Sequence, residues 1–330
     1  MKLHRRHLIA TGAAACATMA APWVRAQTKE KVKLSWLPIM QTTALYVAVQ
    51  DRLFEKAGLD VELVQFQNPN QIIDSLVANQ ADAGAPGAAA GITTLAESRY
   101  PGTFKVFGLQ GGGIKVKRVN DGLIVKNGSP IQSFADLRGK SLGHLPGIQW
   151  RTISRHMLRA NGLDPDKDVR LQEIAVGLQV PSVVAGSIDA TLSLEPVGSI
   201  AVASGEARQA MVNPCSQVIA DPFYSGVSLL TSKFIRERPQ AAKKLVGALD
   251  EATKIANTEF DRVRPYFSKY TAMKGDQVRV VAQPYLRAWR ELNDTDIKSY
   301  QALVDVFHKE GVLKQNIDVR TLILKPSDLA

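Results

Sequence analysis

The chain has 330 residues, 45% of them hydrophobic, and a formal net charge of +10. That length allows about two domains with sizeable cores. Lys and Arg are scattered among Asp and Glu, with no basic run interleaved with aromatics, which argues against a nucleic-acid partner.

The chain opens with "MKLHRRHLIATGAAACATMAAPWVRAQ". A basic start, a short apolar middle and a small-residue exit are the layout of a secretory signal peptide over residues 1–26, cut near Ala26. The stretch from Leu8 to Ala21 is too short for a spanning helix. Arg5-Arg6 before His7-Leu8-Ile9 resembles a twin-arginine signal; an ordinary Sec signal is the alternative. Cys16 lacks the upstream Leu usual before a lipid-anchored cysteine. Removing Lys2, Arg5, Arg6 and Arg25 leaves 37 of the 41 basic residues against 31 acidic ones, a net charge of +6. The expected product is exported to the periplasm. It keeps one cysteine, Cys215, so it can form no internal disulfide.

The elements then alternate. "KVKLSW" (31–36) reads as a strand. "TTALYVAVQDRLFEKAG" reads as a helix stopped by Gly58. "LDVELVQF" is a strand, and "NPNQIIDSLVANQ" a helix opened by Asn68 and Pro69. "ADAGA" is a short strand, "PGAAAGITTLAES" a helix and "FKVFGLQ" a strand. A second cycle starts at "DGLIVK" (121–126). It runs through a short helix and strand in "SPIQSFADLRGKSLGHL", a helix after Pro146-Gly147, the strand "VRLQEIA", the helix "QVPSVVAGS" and the strand "IDATLSL". "EPVGSIAVASG" and "ARQAMV" complete it. Such alternation predicts parallel α/β sheets. After the strand "YSGVSLLTS" the chain reads as mostly helical, "GDQVRVVAQPYLRAW" included.

Enzyme motifs are missing. His144, His156 and His308 have no partner at metal spacing, and neither H-E-x-x-H nor G-x-S-x-G occurs. "GLQGGGIKVK" lacks the P-loop order, and "GAPGAAAG" lacks dinucleotide spacing. The latter still offers backbone N–H groups at a helix start, where an anion can sit; close helix–sheet packing is the plain alternative. The helix after Gly147 carries Gln149, Trp150 and Arg151 in its first turn. A cation there opposes the helix dipole unless an anion sits in front. The alternative has Trp150 in a core and Arg151 in water.

"VKLSWLPIMQTTALYVAVQDRLFEKAGLDVELVQF", "NQIIDSLVANQADAGAPG", "DGLIVKNGSPIQSFADLRGKSLG", "VVAGSIDATLSLEP" and "PFYSGVSLLTSKFIRERPQAAKKLVGALDEA", in this order behind an export signal, resemble the nitrate/sulfonate/taurine-type solute-binding proteins of ABC importers. These are similar in fold to thiamine-pyrimidine synthases. The resemblance runs from about Val32 to about Ala252.

It implies a type II periplasmic-binding-protein fold: two α/β lobes with a ligand cleft between them and a helical C-terminal region. Lobe one would be 28–118 plus 225–330, and lobe two 119–224. The crossings would fall near Lys117–Asp121 and Pro222–Gly226, and the lobes would close by a hinge motion. The cleft would be lined by Trp36 to Gln41, by a helix start at Pro86, Gly87 and Ala88, and by Gly147, Gln149, Trp150 and Arg151. The turn near Val176-Gly177, the loop at Glu195-Pro196 and Tyr224 would complete it. Gln41 and Gln149 would hydrogen-bond ligand oxygens, Arg151 would pair with an anionic head, and Trp36, Trp150 and Tyr224 would hold an organic body. Glu195 would bind a ligand amine or brace the hinge; Glu-Pro after a strand is a family habit and favours bracing.

The small residues at 85–90 replace the hydroxyls that other members offer a head group, which points to a larger organic anion than nitrate. The implied function is capture of a sulfonate, taurine-like compound or aromatic carboxylate, without metal or cofactor. The implied partners are a membrane permease and its ATPase, with the protein itself a monomer. A pyrimidine-binding or pyrimidine-synthesising protein of the same fold is the alternative. The synthases' cysteine-rich signature is missing and no self-sacrificing histidine can be placed, which argues against an enzyme. A periplasmic sensor subunit is a third reading.

Overall fold

The computed structural model describes residues 29–330. The signal-peptide reading, with Arg5, Arg6, Cys16 and the cut near Ala26, lies outside the described residues. Among those described, no helix is long and apolar enough to cross a membrane.

Two mixed sheets organise the chain. Strands β1 (Glu30–Trp36), β2 (Leu59–Gln65), β3 (Ala83–Ala89) and β4 (Phe104–Gly112) open the first. Strands β5 (Asp121–Lys126), β6 (Lys140–His144), β7 (Val169–Glu173), β8 (Ala190–Leu194) and β9 (Ala207–Val212) form the second. The chain then returns through β10 (Phe223–Thr231) and β11 (Tyr285–Ala288) to complete the first. The orders are β11-β4-β10-β3-β1-β2 and β7-β6-β8-β5-β9. Helices cover both sheets, in the two-lobed α/β architecture the sequence predicts.

β1 shows how the pattern acts. Val32 and Leu34 are fully buried while Lys31 and Lys33 are exposed. This alternation fixes a parallel register against β2, from Glu30 opposite Leu59 to Trp36 opposite Gln65. β10 runs antiparallel between β3 and β4, and β5 antiparallel between β8 and β9. The all-parallel expectation is corrected there. A helical crossover returns a strand parallel to its predecessor, but β5 and β10 each arrive from the other sheet.

Three further readings change. The helix predicted over 42–58 splits into Thr43–Gln50 and Leu53–Lys56, because Arg52 takes the left-handed region at φ 57°. The last predicted helix before residue 290 is instead a 3-10 turn, Gly275–Val280, followed by β11. Pro284 interrupts the helical pattern, and β11 pairs along the open edge of β4, Tyr285 opposite Gly111.

The third correction concerns Pro86, Gly87 and Ala88. They continue β3, and the helix starts only at Ala90. Ala88 pairs with Val227 and Gly84 with Leu229, so residues 85–87 bulge out opposite Ser228. Gly87 turns the bulge at φ +95°, and its N–H donates to the buried Gln110 Oε1 at 2.9 Å.

One apolar cluster runs through both lobes. It joins Ile72, Ala88, Leu109 and Phe307 on the first sheet's side to Leu142, Trp150, Ile153 and Leu192 on the second's. The Glu310 side chain, almost fully buried, ties them further by accepting from Arg159 and lying 3.4 Å from His156 Nδ1.

Candidate functional site

In open α/β sheets the loops after the strands' carboxyl ends form the crevice. Here those ends of the two sheets meet. The N–H of Met40, after β1, donates to the carbonyl of Glu195, after β8, at 3.2 Å. Gln41 Nε2 donates to Asn120 Oδ1 at 2.6 Å and to Ser225 Oγ at 2.8 Å. Gln149, in the first turn of the helix Ile148–Ala160, accepts from Gly91 N–H at 2.7 Å and donates from Nε2 to the Ser225 carbonyl at 2.9 Å. Gly91 stands in the first turn of the helix Ala90–Arg99. The Gln149 carbonyl therefore sits on an otherwise free helix N–H.

Glycines allow this approach. A Cβ on Gly147, which has φ +104°, would stand 3.0 Å from Asn70 Oδ1. A Cβ on Gly226 would stand 2.4 Å from Gln41 Oε1.

The expected site residues fall into two groups. Gln41, Gly147 and Gln149 lie in the seam. Trp36 is buried at the end of β1, edge-on to Tyr46 and Tyr270 at 6.0 Å each, and its indole N–H has no partner among the described residues. Pro86, Gly87 and Ala88 belong to the β3 bulge, so the helix start they were expected to form is supplied by Ala90 and Gly91.

Arg151 does not face the seam. Its side chain is about half exposed and pairs with Glu173 Oε1 at 2.7 Å on the surface of the second lobe. Trp150 is 1% exposed and belongs to the apolar cluster, so it forms no open ligand wall. Tyr224 points away as well. Its hydroxyl donates to Asp296 Oδ1 at 2.6 Å, its ring stacks on Tyr285 at 6.1 Å, and burial beside that carboxylate drives its pKa up.

Glu195 is buried and braces. Its Oε2 accepts from Ser199 N–H at 3.0 Å and Ser199 Oγ at 2.7 Å, and its Oε1 from Gln209 Nε2 at 3.2 Å. Burial raises its pKa against those bonds. The carboxylate therefore ties down the next helix, Val197–Ser204.

Asn120, Gly91 and Ser225 were not anticipated. No alternation signals the last, because the pairing of β10 with β4 shifts register between Tyr224 and Gly226, at Ser225 itself. Among the described residues, no group of three or more His, Cys, Asp or Glu is placed to hold a metal ion.

A family model described as the NMT1-like family matches residues 25–265. The chain belongs to the NMT1-like family. This NMT1-like chain is similar to a putative aliphatic sulfonates-binding protein of Bacillus subtilis (strain 168), 24% identical over 274 residues, 82% of this chain and 78% of that protein. It is also 24% identical over 234 residues to a 4-amino-5-hydroxymethyl-2-methylpyrimidine phosphate synthase of Candida albicans (strain WO-1). That match spans 67% of this chain and 65% of the Candida protein's length. In structure it resembles the periplasmic nitrate-binding protein NrtA from Synechocystis PCC 6803, with TM-score 0.72, 16% identity and coverage of 91% of this chain and 86% of that one. At that identity the likeness establishes the fold.

Proposed function

We propose that this NMT1-like chain is the exported solute-binding component of an ABC importer, holding a small organic anion between its lobes. The lobes would be 28–118 plus 225–330 and 119–224. The ligand would be a sulfonate, a taurine-like compound or an aromatic carboxylate, delivered to a membrane permease driven by its ATPase. The reading is one of capture, with no catalytic step.

The observation that carries it is the seam itself. Gln149 of one lobe bonds to Gly91 on a helix of the other, and Gln41 reaches Asn120 and Ser225 beside it. These contacts are uncharged, directional and few. Each is worth about 0.5–1.5 kcal/mol net, so breaking these bonds costs little, while opening must also part the apolar cluster and the Glu310–Arg159 pair that the lobes share. A ligand that touches both lobes favours the closed arrangement by its differential affinity. Similarity to the Bacillus protein supports the sulfonate class.

A neutral pyrimidine is the second reading. Two observations favour it: the amide character of Gln41, Asn120 and Gln149, and the similarity to the Candida synthase.

Thermal unfolding with a ligand panel separates the two. The panel holds taurine, alkyl and aryl sulfonates, phthalate, benzoate, nitrate and hydroxymethylpyrimidine. A ligand at about 100 times its Kd stabilises by roughly 2.7 kcal/mol. A raised midpoint with an organic anion supports capture of that class. A raised midpoint with hydroxymethylpyrimidine alone replaces it by the second reading.

A further inference from the structure

The seam is closed around Gln149 and open at its outer end. Pro38 and Pro196 flank that end, next in chain to the Met40–Glu195 contact region. Between them lies a hollow of about 360 Å3, walled by Gln65 and Gln67 from the first lobe, Val176 and Gly177 from the second, and Lys269 and Tyr270 from the helical C-terminal region. Lys269 is the one charged side chain lining it among the described residues. Its ammonium donates to the neutral Gln50 Oε1 and makes no ion pair with a carboxylate among the described residues. Gln50 also donates from Nε2 to the Tyr270 hydroxyl at 2.6 Å, so one amide steadies both groups. Trp36, edge-on to Tyr270, carries the buried N–H without an acceptor among the described residues.

The hollow does not end there. It shares Val176, Gly177, Ile200 and Ala272 with a second cavity of about 490 Å3. That cavity runs between the helices Gln179–Val184 and Val197–Ser204, over Val180, Val184 and Val197. Its lining is mainly apolar, and Glu206 stands exposed at its rim. Each cavity is within the range of about 300–1,000 Å3 usual for small-molecule sites.

We infer that this trough is a binding site for an amphiphilic organic anion, its charged head at Lys269 with Gln65 and Gln67 and its apolar tail laid along Val176, Val184 and Ile200. The inference rests on the anion-capture reading and says which part of the seam does the capturing. Charge sets the direction: the carboxylate of Glu206 repels an anionic head from the far end, and Lys269 attracts it to the near one. A cation for the anion is thus supplied by the C-terminal region, with Arg151 playing no part.

Titration calorimetry with ethanesulfonate, butanesulfonate and octanesulfonate tests this. Each methylene that reaches the apolar part tightens binding roughly three- to fourfold. Octanesulfonate is therefore expected to bind the wild-type protein more than roughly thirtyfold tighter than ethanesulfonate. Val184→Glu is expected to bring that ratio close to one, and Lys269→Gln to weaken all three sulfonates, with Lys269→Arg restoring them. Short sulfonates that bind with no gain from chain length would overturn this inference alone. If no sulfonate of any length binds, the inference fails, and the anion-capture reading fails with it when taurine, phthalate and benzoate do not bind either.

Discussion

Gln149 of the second lobe accepts a 2.7 Å hydrogen bond from the backbone N–H of Gly91 in the first. Both ends are buried, and the same amide donates to the Ser225 carbonyl on the returning strand β10. One side chain thereby joins a helix start in one lobe, a helix start in the other and a strand that enters from between them.

Replacing Gln149 by Ala leaves the Gly91 N–H without its acceptor. An unpaired buried group costs about 1–3 kcal/mol. Gln149→Ala is expected to lower stability in urea by that amount. It should also weaken every seam ligand by a similar factor whatever its length, because it reduces closure and leaves the ligand's own contacts intact. Urea midpoints and calorimetric Kd values check both.

Arg151→Ala is expected to do little. The side chain is solvent-accessible, and its partner Glu173 is also accessible. Exposed pairs are worth about 0–1 kcal/mol. Anion affinity should change by less than about twofold, measured by the same titration.

Asp250 gives a pH dependence. Burial lifts its pKa to about 6 although it accepts the Trp289 N–H at 3.0 Å, whereas the unfolded value is about 3.9. As pH rises from about 4 to about 6, the unfolded chain ionises first, so the stability this group contributes at low pH is lost across that window. Asp250→Asn keeps an acceptor and cannot ionise. Urea unfolding at several pH values should show a smaller fall in stability between those limits for the variant than for the wild type.

Cys215 is fully buried, with its N–H on Asp121 Oδ2 at 3.0 Å, and burial pushes the thiol pKa well up. The thiolate is the reactive form. In a Cys16→Ser background, a thiol reagent is expected to label the folded protein at least about a hundredfold more slowly than the denatured chain, since labelling awaits opening. Equal rates would contradict this placement.

The fold was largely legible because its strands and helices bury one side. Val32 and Leu34 alternate with lysines, and Trp150, Ile153 and Met157 mark the buried stripe of one helix. What failed had no such contrast. Residues 85–90 are Ala, Gly and Pro, too uniform for any periodicity to separate the end of β3 from the start of its helix. The site was harder still. Successive helical residues point about 100° apart, so of Gln149, Trp150 and Arg151 only one faces any given neighbour. The sequence named all three, and only tertiary contacts sent Gln149 to the seam, Trp150 to the core and Arg151 to water. Lys269 and Gln67 line one hollow from positions some two hundred residues apart in the chain, and no local pattern connects them.

The central claim is that the lobes close on an organic anion. Small-angle X-ray scattering of the protein, without ligand and then saturated with the tightest-binding anion of the panel, tests it most directly. The account predicts that the radius of gyration falls on saturation, to a curve that matches the closed structure, and that Gln149→Ala is more open before ligand is added. An anion that binds tightly and leaves the scattering of an open protein unchanged would contradict it.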